Sequence, residues 1–252
     1  MLLALLSDIH ANVRALDACV THARARGADA FAVLGDSVGY GAEPAEVVDR
    51  VMALASAGAT VVQGNHDAQA VALARSTAPQ TLEDHAALWA RGQLSEAHCQ
   101  FLRSLPLTAR RDDCLLVHAG AAAPERWHYV TDARSAQDSL DAAVAQAGIR
   151  HVFGGHVHHQ TLYYRGKNQG LMPFNPVPGV AIPMPKHRQW IATVGSVGQP
   201  RDGDVRAMYA LFDSQRSQLT FFRVAYDHGA AAAAVRRTGQ SEFFAQRLEV
   251  GR

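Results

Sequence analysis

The sequence predicts an α/β fold, and three observations carry that reading. Short apolar runs, often β-branched, recur through the first 160 positions, as expected of strands covered on both faces. Between them lie amphipathic stretches whose apolar residues fall three and four apart, as crossover helices require. Each run then ends in a polar cluster, most densely at Gly64-Asn65-His66-Asp67, where an open α/β sheet binds its ligands.

Leu2–Leu6 reads as the first strand, ending in Ser7-Asp8-Ile9-His10-Ala11-Asn12. The next helix carries Val13, Leu16, Cys19, Val20 and Ala23 on one face and stops at Gly27. Asn12 suits its N-cap and is also placed to contact a substrate phosphate. Residues 30–34 form a second strand, ending in Gly35-Asp36-Ser37-Val38-Gly39-Tyr40-Gly41. Pro44 opens a helix that runs to Gly58. Residues 59–62 are the third strand, closed by the Gly64 motif, and residues 67–104 read as helical with a break around Thr77-Ala78-Pro79. A strand over 114–117 ends at His118-Ala119-Gly120, and a helix over about 133–147 follows. Residues 151–153 then lead into Gly154-Gly155-His156-Val157-His158-His159.

Beyond that point, residues 160–164, 189–194, 207–213 and 218–224 read as antiparallel strands. The Pro/Gly-rich loop 165–187 between the first two is long enough to imply a functional or covering role. An alanine-rich tail from His228 predicts a terminal helix. No repeat and no linker breaks the chain, so a single domain over residues 1–252 is expected.

Composition narrows the function classes. The 252 residues are 48% hydrophobic and carry a formal net charge of +1, which argues against a dedicated nucleic-acid surface. Cys19, Cys99 and Cys114 are scattered and form no CxxC pair, predicting buried free thiols in a reducing compartment. The N-terminal apolar run lacks a basic lead-in and is too short for a signal peptide. No apolar segment approaches the roughly 20 residues that cross a bilayer. A soluble cytoplasmic protein with no membrane partner is the expectation.

Five successive strand ends carry Asp8 and His10, Asp36, Asn65 and His66, His118, and His156 and His158. Strand ends from one sheet converge, so these residues are expected to meet. Oxygen and imidazole donors without thiolate suit Mn²⁺, Fe, Ni²⁺, Co²⁺ or Zn²⁺. The set is too large for one ion and suits two that share the central Asp36. Two cations about 3.5–4 Å apart polarise phosphoryl oxygens and lower the pKa of a bound water towards about 7. A nearby imidazole that is not a ligand can serve the leaving oxygen, and Asp67 could fix that ring's tautomer if the two side chains face each other.

Asp-x-His, Gly-Asp, Gly-Asn-His-Asp, His-Ala-Gly and Gly-His-x-His, in this order, resemble the calcineurin-like metallophosphoesterase superfamily. Gly195-Ser196-Val197-Gly198-Gln199-Pro200-Arg201 resembles its small bacterial phosphodiesterase branch, related to the retromer scaffold subunit. The resemblance implies a four-layer αββα sandwich of two mixed β-sheets flanked by helices, with a dinuclear metal site at the strand ends. It assigns Asp8, His10, Asp36 and His158 to a first ion, manganese foremost, and Asp36, Asn65, His118 and His156 to a second. His66 becomes the substrate-facing acid with Asp67 behind it, and Asn12, Asn65 and His66 become substrate contacts. Thr193-Val194 stands where an Asn usually precedes Gly195, and Val157 replaces a common Thr; neither position is an implied ligand. The expected activity is phosphodiester or phosphomonoester hydrolysis of a small substrate. Dinucleoside polyphosphate hydrolysis is an alternative, and a non-catalytic protein-binding scaffold is another, although no ligand position is substituted. Tyr40, Arg126, Trp127 and His128 are candidates to line a substrate pocket, and Arg201 either meets phosphate or makes a structural salt bridge.

Overall fold

The computed structural model describes residues 1–72, 79–166 and 169–252. The break expected around residues 77–79 falls mainly outside them. Strands are β1 (Leu2–Leu6), β2 (Ala30–Val33), β3 (Thr60–Val61), β4 (Thr108–Arg111), β5 (Cys114–Val117), β6 (His151–Gly154), β7 (Gln160–Arg165), β8 (Met172–Phe174), β9 (Ala181–Pro183), β10 (Gln189–Val194), β11 (Ala207–Asp213) and β12 (Gln218–Val224). Helices are α1 (Val13–Ala25), α2 (Pro44–Ser56), α3 (Asn65–Ala72), α4 (Leu82–Gln93), α5 (Glu96–Ser104), α6 (Ala133–Val144), α7 (His228–Arg237) and α8 (Glu242–Val250).

Two mixed sheets form, with strand orders β3-β2-β1-β11-β12-β9 and β4-β5-β6-β10-β7-β8. β1, β2 and β3 pair in parallel, as do β5, β6 and β10, while the remaining pairs are antiparallel. The five motif-bearing strand ends therefore come from two sheets rather than the single sheet expected. β1 shows why its sequence is apolar throughout. Leu3 and Leu5 enter the core between the sheets with Phe153, Phe212 and Phe221, while Ala4 and Leu6 pack outward against α1 and its neighbours. α6 covers the outer face of the second sheet through Ala136, Leu140 and Ala143. The result is helices on both outer faces and a dry double-sheet centre, the four-layer arrangement implied by the motifs.

Three strands escaped sequence reading. β8 and β9 lie within the 165–187 segment expected to be loop; each is three residues long and holds a proline. Both are edge strands, where a missing N–H costs no ladder bond. β4 is a half-buried edge strand without clear alternation. The helix expected from residue 67 starts two residues earlier, inside the Gly64 motif, and the tail forms two helices rather than one. Cys19, Cys99 and Cys114 are free and buried. Among the described residues, no helix is long and apolar enough to cross a membrane.

Candidate metal centre

The loops leaving the parallel strands continue to bond sideways after the strands end. Asp8 N donates to Gly35 O, His10 N to Asp36 O and Ala11 N to Ser37 O, while Gly155 N donates to His118 O and Gly198 N to Asp8 O. These bonds hold turns that ordinary residues avoid. Asp8, His10, Asp36, His156 and His158 all have positive φ, between 47° and 69°. Left-handed backbone at non-glycine residues costs about 1–3 kcal/mol each and tends to collect at functional sites. Two glycines make the close approach possible. A Cβ on Gly64 would collide with the Asp36 carboxylate, and one on Gly155 with Ser7 and Asp8.

Two donor groups result, and they share Asp36. In the first, His158 Nε2 lies 3.4 Å and His10 Nε2 3.8 Å from Asp8 Oδ1, with His10 Nε2 also 3.8 Å from Asp36 Oδ2. In the second, His118 Nε2 lies 3.3 Å from Asp36 Oδ2, 3.0 Å from Asn65 Oδ1 and 3.1 Å from His156 Nδ1. Asp8, His10, Asp36, His118, His156 and His158 are each at most 6% exposed.

The second nitrogen of three rings is already committed. His10 Nδ1 donates to Val38 O at 3.1 Å, His118 Nδ1 to Leu34 O at 2.7 Å and His158 Nδ1 to Gln199 O at 2.6 Å. These bonds fix each ring's orientation and aim its Nε2 inward, the arrangement that metal-binding histidines use. His10 Nε2 and His158 Nε2 then face each other at 3.1 Å with no proton to share. Asp8 Oδ1 is buried without a hydrogen-bond partner. Inward lone pairs and an unpartnered carboxylate oxygen, with no sulfur donor, fit hard or borderline divalent cations.

Burial pushes Asp8 up to about 6, partly opposed by His118. Burial also works against ionised Asp36, but His118, His66 and His10 outweigh it and hold that carboxyl well below its usual range. For His118, burial is outweighed by Asp36 and Asp8, raising it to about 9. Burial drives His10 and His158 well below the ordinary imidazole value, and burial with His118 takes His156 down to about 4. Asp36 is thus ionised, and His10, His156 and His158 present neutral rings with free lone pairs.

Asp67 and Asn12 direct their polar atoms largely to backbone groups, and the hydrogen bonds of Asp67 run to backbone N–H groups. Its Oδ1 accepts from Ser37 N and Val38 N, and its Oδ2 accepts from Gly64 N. Adjacent residues on α3 point about 100° apart, so the carboxylate pins two loops together. Asn12 caps α1 by accepting from Ala15 N, and its amide donates to Gly198 O and Tyr226 Oη. At 3% exposure it has no donor left for phosphate. The backbone N–H of His66 donates to Asp36 Oδ1, its ring packs edge-on against Tyr40 and His10, and its Nδ1 is unpartnered.

Residues 1–217 match the model of the calcineurin-like phosphoesterase superfamily domain. The chain belongs to that superfamily. A metallophosphoesterase from Sphaerobacter thermophilus is similar at 33% identity and a TM-score of 0.86, over 100% of this chain and 99% of that one. An uncharacterized protein of Methanocaldococcus jannaschii is 29% identical across 100% of this chain and 98% of its own length. A hypothetical protein of Pyrococcus horikoshii shares the fold at a TM-score of 0.76 and 16% identity, over 100% and 98% of the two chains. The superfamily uses divalent metal ions, and the His/Asp groups of this chain could hold such ions.

The motif Gly195–Arg201 adds support behind the donors: Gln199 holds His158 through its carbonyl, and Ser196 Oγ ties the Asp8 carbonyl to this segment. Tyr129 stacks on His156 at 4.0 Å between ring centres. It sits in the segment after the short 3-10 turn Pro124–Arg126, where single residues have no readable pattern. Trp127 packs edge-on against His118 and Tyr40 reaches both His10 and His66, whereas Arg126 and His128 are exposed.

Proposed function

We propose that the chain hydrolyses phosphate esters at a dinuclear centre held by Asp8, His10, Asp36 and His158 on one side and Asp36, Asn65, His118 and His156 on the other. The observation that carries this reading is the pair of buried donor groups meeting at Asp36 Oδ2. A bound divalent pair supplies charge that polarises phosphoryl oxygens and acidifies water. The remaining work belongs to the chain. Buried walls exclude bulk water and so strengthen each charge–dipole contact with the developing transition state. Carbonyls of Leu34, Val38 and Gln199 keep three imidazoles aimed. Asn65 directs its amide oxygen inward, leaving its amide hydrogens for a phosphoryl oxygen.

His66 lies within 4.8 Å of His10 and Asp36 donor atoms and is not needed by either donor group. Its ring is the natural general acid or hydrogen-bonding stabiliser of the departing oxygen, and burial, which lowers its pKa, favours the second role. Manganese, iron, nickel, cobalt and zinc are the candidate ions for this oxygen and imidazole set, and manganese is the one tried first. The test is hydrolysis of an aryl phosphodiester by purified protein with added Mn²⁺. Asp36→Ala and His66→Ala should each lower turnover by roughly a hundredfold or more. Asp36→Ala should also lose bound manganese by elemental analysis, and His66→Ala should retain it. Near-normal rates in both metal-replete variants would exclude this assignment.

A further inference from the structure

Beside the donor groups lies a cleft of about 540 Å³ whose lining includes Tyr129, Val130, His156, Val157, Thr161 and Arg201. Such a volume accommodates a group of nucleoside size. None of the described residues of the Pro-rich segment 165–187 lines it. Two of its walls have unusual surroundings.

Arg201 is half-buried and rigidly held without being neutralised. Its Nε and Nη2 donate to Gln199 Oε1 at 3.2 and 2.7 Å, and its guanidinium lies 5.7 Å from the Tyr40 ring centre. No carboxylate among the described residues lies within 4.0 Å of it, unlike its neighbours Arg206 and Arg223, which pair with Asp204 and Asp202. The structural salt bridge considered from sequence is therefore absent here. A neutral amide can orient a guanidinium but cannot cancel its charge, so the charge remains for an incoming anion. Arg247 reaches the same amide oxygen and adds to the positive field.

Tyr129 provides the second feature. One face of its ring lies on His156 with an interplanar angle of 18°, yet the residue is 55% exposed. A flat aromatic fixed from behind and open in front is a stacking platform, costing little side-chain entropy when it binds.

We propose that Arg201 and Tyr129 form a specificity subsite that selects phosphate esters carrying a planar ring, with a nucleoside as the group best matched to the cleft. Arg201 takes a phosphoryl oxygen and Tyr129 stacks on the ring. This inference rests on the phosphoesterase reading for the position of the phosphorus, but its test needs no turnover.

The test is equilibrium binding by calorimetry to the manganese-loaded full chain, using phosphonates whose C–P bond resists hydrolysis. Three probes are compared: methylphosphonate, phenylphosphonate and the phosphonate analogue of adenosine monophosphate. Wild type should bind the adenosine analogue about tenfold or more tightly than methylphosphonate, the scale of one stacked base. A gain for phenylphosphonate equal to that of the adenosine analogue supports the ring subsite and places the ring directly at phosphorus. Tyr129→Ala should erase the ring advantage and leave methylphosphonate binding near the wild-type value. Arg201→Gln should weaken all three probes about tenfold or more, as loss of a charge-assisted contact does, while keeping the ring advantage and the manganese content. Equal affinity of wild type for all three probes overturns the proposal, as does a ring advantage that survives Tyr129→Ala. Loss of manganese in Arg201→Gln would make Arg201 a positioning residue and likewise overturn it. Failure of the phosphoesterase reading would appear separately, as absence of hydrolysis of any ester by wild type.

Discussion

Asp67 accepts three backbone N–H groups, from Ser37, Val38 and Gly64, and is wholly buried. Those donors belong to the two segments that carry Asp36 and Asn65, so the carboxylate sets the spacing between them. Asp67→Asn would keep one accepting oxygen and turn an amide N–H₂ towards an N–H donor. Leaving a buried donor unpaired costs about 1–3 kcal/mol. The expected result is a lower urea midpoint at an unchanged m-value, a pure stability change. If Asp67 instead tuned the His66 ring, the pH–rate profile would move and the midpoint would not. The sequence could not separate these roles, because adjacency along the chain says nothing of which atoms a carboxylate meets once its residue starts a helix. The ligand positions were easier. Each proposed ligand stands at a strand end within two residues of a glycine or another such residue, and chemistry restricts those places to a few residue types.

At the level of elements, the site is a set of loops leaving parallel strands, whose positive-φ residues are held by sideways backbone bonds. Glycines permit this only where two loops touch. Gly155 lies against Ser7 and Asp8, and His156 N donates to Asp8 Oδ2 at 2.8 Å. Adding one methyl there must push the β6 loop away from the β1 loop. Gly155→Ala is therefore expected to reduce manganese uptake by at least the share held by Asp8, His10 and His158, with far-ultraviolet dichroism preserved. Metal analysis equal to wild type would show that the loops yield without cost. β1, β2, β5, β6 and the helices between them were legible because burial on both faces enforces apolar runs, while helices show a 3.6-residue period. β4, β8 and β9 were not, since edge strands are short, half-exposed and tolerant of proline. Their existence is decided by a partner strand, and local sequence carries no record of that partner.

Over the whole molecule, the centre bridges both sheets: β1, β2 and β3 deliver Asp8, His10, Asp36 and Asn65, and β5 and β6 deliver His118, His156 and His158. That two-sheet origin was invisible in the residue pattern and followed only from the family resemblance, because periodicity reports a strand's faces but not its sheet. It has a thermodynamic consequence. Cations bound across the seam would tie the sheets together and would also relieve the facing lone pairs of His10 and His158 and the unpartnered oxygen of Asp8. A ligand present at 100 times its dissociation constant stabilises the native state by about 2.7 kcal/mol per site. At about 2–4 °C per kcal/mol for a chain of this size, one such site is worth about 5–10 °C. Dialysis against a chelator should lower the calorimetric melting temperature by that amount or more, and Mn²⁺ should restore it. In Asp36→Asn the manganese-dependent shift should shrink, because the oxygen common to both groups is compromised. Melting curves that coincide with and without manganese would mean that the seam holds no ion, whatever the donor geometry suggests.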